Sequence, residues 1–592
     1  MTTIPPHQSV PSPTPISHRP EPDLWASIDA VFTQTDDGMG VTSANKPGGA
    51  QGIARSRVLH VSPPSPFLAY AIAGSDFERH TCLDVIIDDE VVCSDTGRGR
   101  DHARAATFDL RPWIGREVRV EVRDLSEGAG WIAVGDVGFT ATPITPLAAP
   151  LYAEPLRPAY HFTARQWTMN RPDPVERQEG WLNDLNGLVV LDGEYHLFAQ
   201  RWNKCWIHAV STDLVHWTEL PPAFWEDALN SGVQSGSCVV DANNTSGLGQ
   251  PSGPAPMVAF WSRNDNLTQG IHYSLDRGRT WLAWAGNPIM RRGERDPMVL
   301  RDHRRDRWCM VLYANRRYEL LVSTDLLHWE PVGDLGPGFE CPDFFELPIE
   351  GSADTRWVLV RGDGSYEIGT FDGAAFVPET PLLTVDGGPN FYATQSWDAT
   401  SHGVPRRVQA AWVHKSPFPG MPFSQQVSIP CDLALRTTPH GLRLHRSPVG
   451  ELAMLERREY EGPSGKLEPD ASWSATYVTE ALRFRAEVEL PAGAALDLDL
   501  CGRHVLIERD RIAINGATQY THSPVHRIDI LLDVASVEVF ANDGEASLTA
   551  YALGGPTEIR ITASGAPVAF HRARVAELES IWPKEPAPTP AP

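Results

Sequence analysis

STDLVHW at 211–217 returns as STDLLHW at 323–329, with looser relatives in SLDRGRTW at 274–281 and FDGAAF at 371–376. In each copy a polar turn leads to an aromatic residue, the punctuation of a chain that reverses between short strands. The spacing is close to the roughly 40–50 residues of a four-stranded propeller blade. With the segment from 389 to 431 counted as the last unit, the repeat predicts a five-bladed β-propeller over residues 151–431. Trp217, Trp281 and Trp329 end their copies at the same place, so they are expected to pack between neighbouring blades rather than to meet a ligand.

Outward from the repeat, alternating strands continue on both sides. CLDVIIDDEVVC (82–93), REVRVEVRD (116–124) and WIAVGDVGF (131–139) predict an N-terminal β-sandwich module over 23–150. RFRAEVEL (483–490), LDLDL (496–500) and RIDILLDVASVEVFAN (527–542) predict a C-terminal β-sandwich over 432–582. Within SVEVFANDG, Val537, Val539 and Ala541 fall on one face and Glu538 and Phe540 on the other, before Asn542, Asp543 and Gly544 reverse the chain. The ends, 1–22 and 583–592, are rich in Pro and read as disordered tails. The fold class is therefore all-β: a five-bladed propeller followed by a C-terminal sandwich, with an additional N-terminal sandwich module.

Bulk properties narrow the function. A chain of 592 residues exceeds what one hydrophobic core supports, and 19 Trp, 48 Gly and 51 Pro suit turn-rich β structure. The net charge of −24 argues against a nucleic-acid partner. No apolar run is long enough to span a bilayer, and the first twenty residues lack the apolar stretch of a signal peptide, so no membrane partner and a cytoplasmic location are expected. The eight Cys are dispersed without a CxxC pair, which predicts free thiols and no zinc site. A neutral substrate fits this chain better, and no cofactor or metal is expected.

Three acidic motifs stand out in the propeller: WLNDLNG at 181–187, ERDP at 294–297 and ECPD at 340–343. Asp296 follows Asp184 at the distance separating the two STDL turns, which predicts equivalent positions in their blades. Glu340 follows Trp329 closely and should open the next blade. The first strand of each blade lines the central channel, so all three carboxylates should meet at one mouth. Converging carboxylates without a His or Cys cluster point to glycosidic-bond chemistry, in which one acid protonates the leaving oxygen and another attacks the anomeric carbon. Arg295 next to Asp296 supplies an opposite charge that favours its ionised form. Trp206 and Trp412 lie outside the repeated aromatic position and are candidates for stacking on sugar.

These motifs, together with SGSCVVDANNTSG (235–247), FECPDFFEL (339–347) and SVEVFANDG (536–544), resemble glycoside hydrolase family 32, the invertases, levanases, inulinases and related fructosyltransferases. The resemblance covers about 158–582. It implies that Asp184 is the nucleophile, Asp296 the transition-state stabiliser that holds fructose hydroxyls, and Glu340 the acid/base. Asn183, Gln200, Trp206, Ser235 and Arg295 match positions lining the fructose subsite. Leu185, Ala199, Gln234 and Ile207 depart from the family's usual Pro, Tyr, Phe and Gly, and the segment between Gln200 and Trp206 is shorter; these changes surround the subsite rather than the acids. The implied activity is retaining hydrolysis of β-fructofuranosides. A fructosyltransferase would use the same acids, and a catalytically inactive carbohydrate-binding propeller is the reading outside enzymology.

Overall fold

The computed structural model describes residues 21, 23–35, 40–47, 49–75, 80–126, 128, 130–144, 152–164, 180–201, 205–220, 222–224, 232–263 and 267–582. The Pro-rich ends therefore lie outside the described residues, apart from Glu21. The chain divides into two compact units, one made of the N-terminal module and one holding the propeller and the C-terminal sandwich.

The module packs a six-stranded sheet against a five-stranded one. In Glu117–Asp124 the alternation predicted from sequence holds: Val118, Val120 and Val122 enter a core with Leu68, Tyr70, Ile72, Leu83 and Phe108, while Glu117 and Arg119 stay exposed. Asp124, fully buried, is neutralised by Lys46 at 2.6 Å and accepts from Ser43 at 2.6 Å.

Five antiparallel sheets form the propeller. Their first strands are Leu185–Leu191 (blade I), Val233–Val240 (II), Arg295–Asp302 (III), Asp343–Pro348 (IV) and Phe391–Asp398 (V). Each of these strands lies beside the first strand of the next blade, and that of blade V lies beside that of blade I, closing the ring. Gly187 is needed where blades I and II approach: its φ is +101°, and a Cβ there would sit 2.3 Å from the Cys238 nitrogen.

The repeated turns show why the sequence punctuates the fold as it does. Asp213 accepts from the backbone N–H groups of Val215 and His216 at 2.9 and 2.8 Å, and Asp325 does the same for Leu327 and His328, both at 2.9 Å. The aromatic residue that follows each turn packs on the preceding blade: Trp281 on Phe198, Trp329 on Phe260, and Trp217 on Trp397 across the closure.

Blade V corrects the predicted domain boundary. Its outer strands are Cys431–Thr438 and Gly441–Pro448, paired onto Arg407–Val413, so the propeller runs on past residue 431 and the sandwich takes its strands from Glu456 onward. The sandwich stacks a seven-stranded and a six-stranded sheet around a core of Leu, Ile and Val. Val537, Val539 and Ala541 face that core as predicted, and the turn at Asn542, Asp543 and Gly544 has positive φ throughout.

Glu538, on the other face, belongs to a buried charge network. The His161 ring lies 2.9 Å from Asp533 and 2.9 Å from Glu538, and Arg446 lies 3.2 Å from Asp386 and 3.6 Å from Glu538. Burial opposes charge on His161, but its two carboxylate partners outweigh that and raise its pKa to about 9. Because the folded value exceeds the ordinary 6.5, the stabilisation is complete below about pH 6.5 and is lost as pH rises through about 9. Removing one partner of such a buried pair costs about 3–5 kcal/mol. His161→Gln should therefore melt well below the wild type at pH 6, with the gap closing above pH 9 in a thermal series; a gap independent of pH would mean that His161 acts by packing alone.

Candidate active site

All three acids lie at the starting ends of channel-lining strands. Asp184 immediately precedes the first strand of blade I, Asp296 is the second residue of that of blade III, and Glu340 occupies the turn between Glu330–Pro337 and Asp343–Pro348. Their charges raise one another: Glu340 acts on Asp184, and both Asp184 and Glu340 act on Asp296. Arg295 reaches both Asp296 and Glu340, and the Cys341 N–H beside Glu340 donates to Asp296, so these side chains share partners, in a register different from the predicted one. Four first strands carry an irregularity at one phase, between Leu185 and Leu188, Val233 and Gly236, Arg295 and Met298, and Tyr392 and Gln395. That phase aligns Leu185 with Arg295 and Asn186 with Asp296, so Asp184 and Asp296 are not equivalent. Asp184 aligns with Glu294, two positions earlier.

Backbone strain accompanies these positions. Asp296, Glu340 and Cys341 have φ of +60°, +41° and +32°, a region that costs residues with a Cβ about 1–3 kcal/mol each. Hydrogen bonds hold them there. Cys341 N–H donates to Asp296 Oδ2 at 2.9 Å, Asp296 N–H donates to Ser262 at 3.1 Å, and the Tyr318 hydroxyl donates to the Glu340 carbonyl at 2.8 Å.

Around Asp184 the polar residues form one cluster. The Ser235 hydroxyl lies 2.7 Å from Asp184 Oδ2 and 2.7 Å from Gln200 Oε1. Asn183 N–H donates to the Gln200 carbonyl at 2.9 Å, and Gln200 N–H returns a bond to the Asp184 carbonyl at 2.8 Å. Burial is the largest influence on Asp184 and raises its pKa; the Ser235 hydroxyl opposes this, and the Glu340 charge adds to it. Asp296 is pushed up to about 7 by burial and by Asp184, against the backbone donor of Cys341 and the charge of Arg295. Arg295 therefore does not keep Asp296 as acidic as the sequence suggested, because its guanidinium reaches past Asp296 (Nε at 3.9 Å) to donate to Glu340.

Trp206 is placed differently from the expectation. Its ring is fully enclosed between Phe198 and Phe224, and its Nε1–H donates to the Gln234 carbonyl at 3.0 Å, so it braces the wall behind Gln200 and offers no open face to a sugar. Trp412 is partly exposed, with Nε1–H on Gln425 at 3.0 Å and its ring 6.0 Å from Tyr392.

Tyr392 was missed from sequence. Its hydroxyl donates to Glu340 Oε2, while Arg295 holds Oε1. No local signal marked it: its match to Arg295, at the irregularity phase of blade III, shows only once the strands are paired. Tyr392 touches the acid rather than the reacting atoms, so Tyr392→Phe should lower kcat by about tenfold and move the basic limb of the pH profile upward, because a donor to the ionised acid is lost. A fall in rate without movement of that limb would make its role purely structural.

Among the described residues no group of three or more His, Cys, Asp or Glu is arranged to hold a metal. All eight cysteines are buried free thiols, and no described helix is long and apolar enough to cross a membrane.

Comparison with known proteins agrees with this geometry. The pattern for "Glycosyl hydrolases family 32 N-terminal domain" matches residues 175–448, ending where blade V ends, and that for "Glycosyl hydrolases family 32 C terminal" matches 503–579. A levanase of Bacillus subtilis is 31% identical over 499 residues, 73% of this chain and 72% of that protein. A levanase of another Bacillus is 32% identical over 525 residues, 76% of this chain, though the match spans only 54% of that longer protein. The crystal structure of an exo-inulinase from Aspergillus awamori superposes with a TM-score of 0.63 at 24% identity, covering 73% of this chain and 100% of that one. A propeller of this register with its following sandwich, carrying these motifs in this order, belongs to glycosyl hydrolases family 32.

Proposed function

We propose that the protein is a retaining β-fructofuranosidase that removes a terminal fructosyl unit from sucrose or a fructan. The observation that carries this reading is the meeting of Asp184, Asp296 and Glu340 at one channel mouth, with Arg295 and Tyr392 both held on Glu340. The relatives named levanase and exo-inulinase support the substrate class.

Double displacement follows from the roles the residues can take. Asp184 attacks the anomeric carbon as Glu340 gives a proton to the leaving oxygen; Glu340 then takes a proton from water, which releases fructose. Arg295 and Tyr392 both donate to Glu340. Burial and neighbouring carboxylate charge make Asp184 and Asp296 hold protons more tightly than ordinary carboxylates. The double displacement requires Glu340 to carry the proton and Asp184 to be ionised when the fructoside is bound. The clustering of Asn183, Gln200 and Ser235 around Asp184 supports a role for them in orienting it and the fructose hydroxyls.

Chromatography of products from sucrose, inulin and levan tests the substrate, and NMR in the first minutes tests the mechanism. Fructose should appear first as the β-furanose; initial release of the α-anomer would overturn double displacement even if every acid proved essential.

A further inference from the structure

Phe339 is a large apolar side chain that stays 41% exposed, and it immediately precedes Glu340. The turn that carries it is fixed on several sides. Phe339 N–H donates to the Tyr318 hydroxyl at 3.2 Å, and Gly362 N–H donates to the Phe339 carbonyl at 3.0 Å. A Cβ at Gly362 would press on this same turn, at 3.3 Å from the Phe339 carbonyl oxygen. The turn is thus fixed by backbone bonds while the ring itself stays exposed. Its edge meets Tyr392 at 6.4 Å and 79°, and the Tyr392 ring in turn meets Trp412 at 6.0 Å and 71°. Phe339, Tyr392 and Trp412 form a contiguous aromatic wall beside Glu340.

The chemistry assigns an occupant to that wall. A general acid must stand beside the oxygen it protonates, so the leaving group lies on the Glu340 side of the reacting fructose. A sugar ring presents C–H faces that pack on an aromatic face, and an exposed apolar surface continuous with a site is what such packing requires. We propose that Phe339, backed by Tyr392 and Trp412, is the platform for the sugar on the leaving-group side, the unit next to the terminal fructose. It thereby sets how strongly the enzyme prefers an oligosaccharide over a substrate with a minimal leaving group. This inference rests on the fructosidase reading above.

The test compares two substrates whose fructosyl group is the same: an inulin-type tetrasaccharide, and β-fructofuranosyl fluoride, whose leaving group is one atom and places nothing on the wall. Phe339→Ala should lower kcat/KM for the tetrasaccharide by about tenfold more than for the fluoride, and Phe339→Trp should restore the ratio. Equal losses on both substrates would show that the residue only holds the turn of the acid, and no loss on either would show that the wall is unused; both overturn the platform. A wild type inactive on both substrates would overturn the fructosidase reading, and the platform with it.

Discussion

Asp184→Asn and Glu340→Gln should each reduce kcat on sucrose or a fructo-oligosaccharide by roughly three orders of magnitude or more while the protein stays folded, because each removes a different chemical role. The two losses should differ in kind. Glu340→Ala, given β-fructofuranosyl fluoride, should still form the fructosyl-enzyme, since fluoride departs without a proton. Azide should then accelerate its turnover and yield a β-fructosyl azide, because an anionic nucleophile needs no base. Asp184→Asn lacks the group that forms the fructosyl-enzyme, so any azide product it gives from the fluoride comes from direct displacement and is the α-anomer. The anomeric configuration decides: a β-fructosyl azide from the Asp184 variant, or near-wild-type turnover in either folded variant, would remove the assigned roles.

Much of this arrangement was legible in the chain before any coordinates. The STDL turns were readable because one aspartate caps two backbone N–H groups, a local bond that leaves a local signature at 211–217 and 323–329. The acidic motifs were readable because strained turns at channel-facing positions need short, punctuated segments. The register between blades was not. The strands that precede the STDL turns, Cys205–Ser211 and Arg317–Ser323, keep the repeat spacing, but the hairpin before them is longer in blade III, linking Arg295–Asp302 to Arg307–Ala314 where blade I links Leu191 directly to Glu194 through a two-residue turn. Turn spacing reports the outer half of a blade and says nothing of slippage in the inner half, which is how Asp184 and Asp296 were mistaken for equivalents.

Other features depend on what lies across space. Cys431–Thr438 alternates as the sandwich strands do, and only its pairing with Arg407–Gln409 places it in blade V. Trp206 stands on a strand whose other residues are also buried, so nothing local tells that its face is closed by Phe198 and Phe224. Tyr392 sits in an apolar stretch without a charge to mark it; its importance comes from Glu340, contributed by a loop 52 residues earlier.

Asp296 allows a test in which function and stability move in opposite directions. Asp296→Asn should reduce kcat by about three orders of magnitude, because a carboxylate that grips fructose hydroxyls gains most as positive charge develops on the sugar. The same substitution should stabilise the protein at neutral to alkaline pH. Asp296 is 4% exposed and its pKa stands near 7 instead of 3.8, raised first by burial and then by the charge of Asp184. The folded state therefore binds this proton more tightly than the unfolded chain. Stability falls as pH rises from about 4 through about 7, and stays lower above that window. Asparagine can still accept the Cys341 N–H bond and carries no charge to bury, so it escapes this penalty. Thermal unfolding of both proteins across pH 5 to 9 should show the variant gaining on the wild type as pH rises, most of the gain appearing by about pH 8. A variant destabilised equally at every pH, or one whose defect is confined to KM, would mean that Asp296 is a structural or binding residue. The expected pair of outcomes would instead identify a carboxylate kept at this position against the stability of the fold, because the reaction needs its negative charge where the site can least easily hold it.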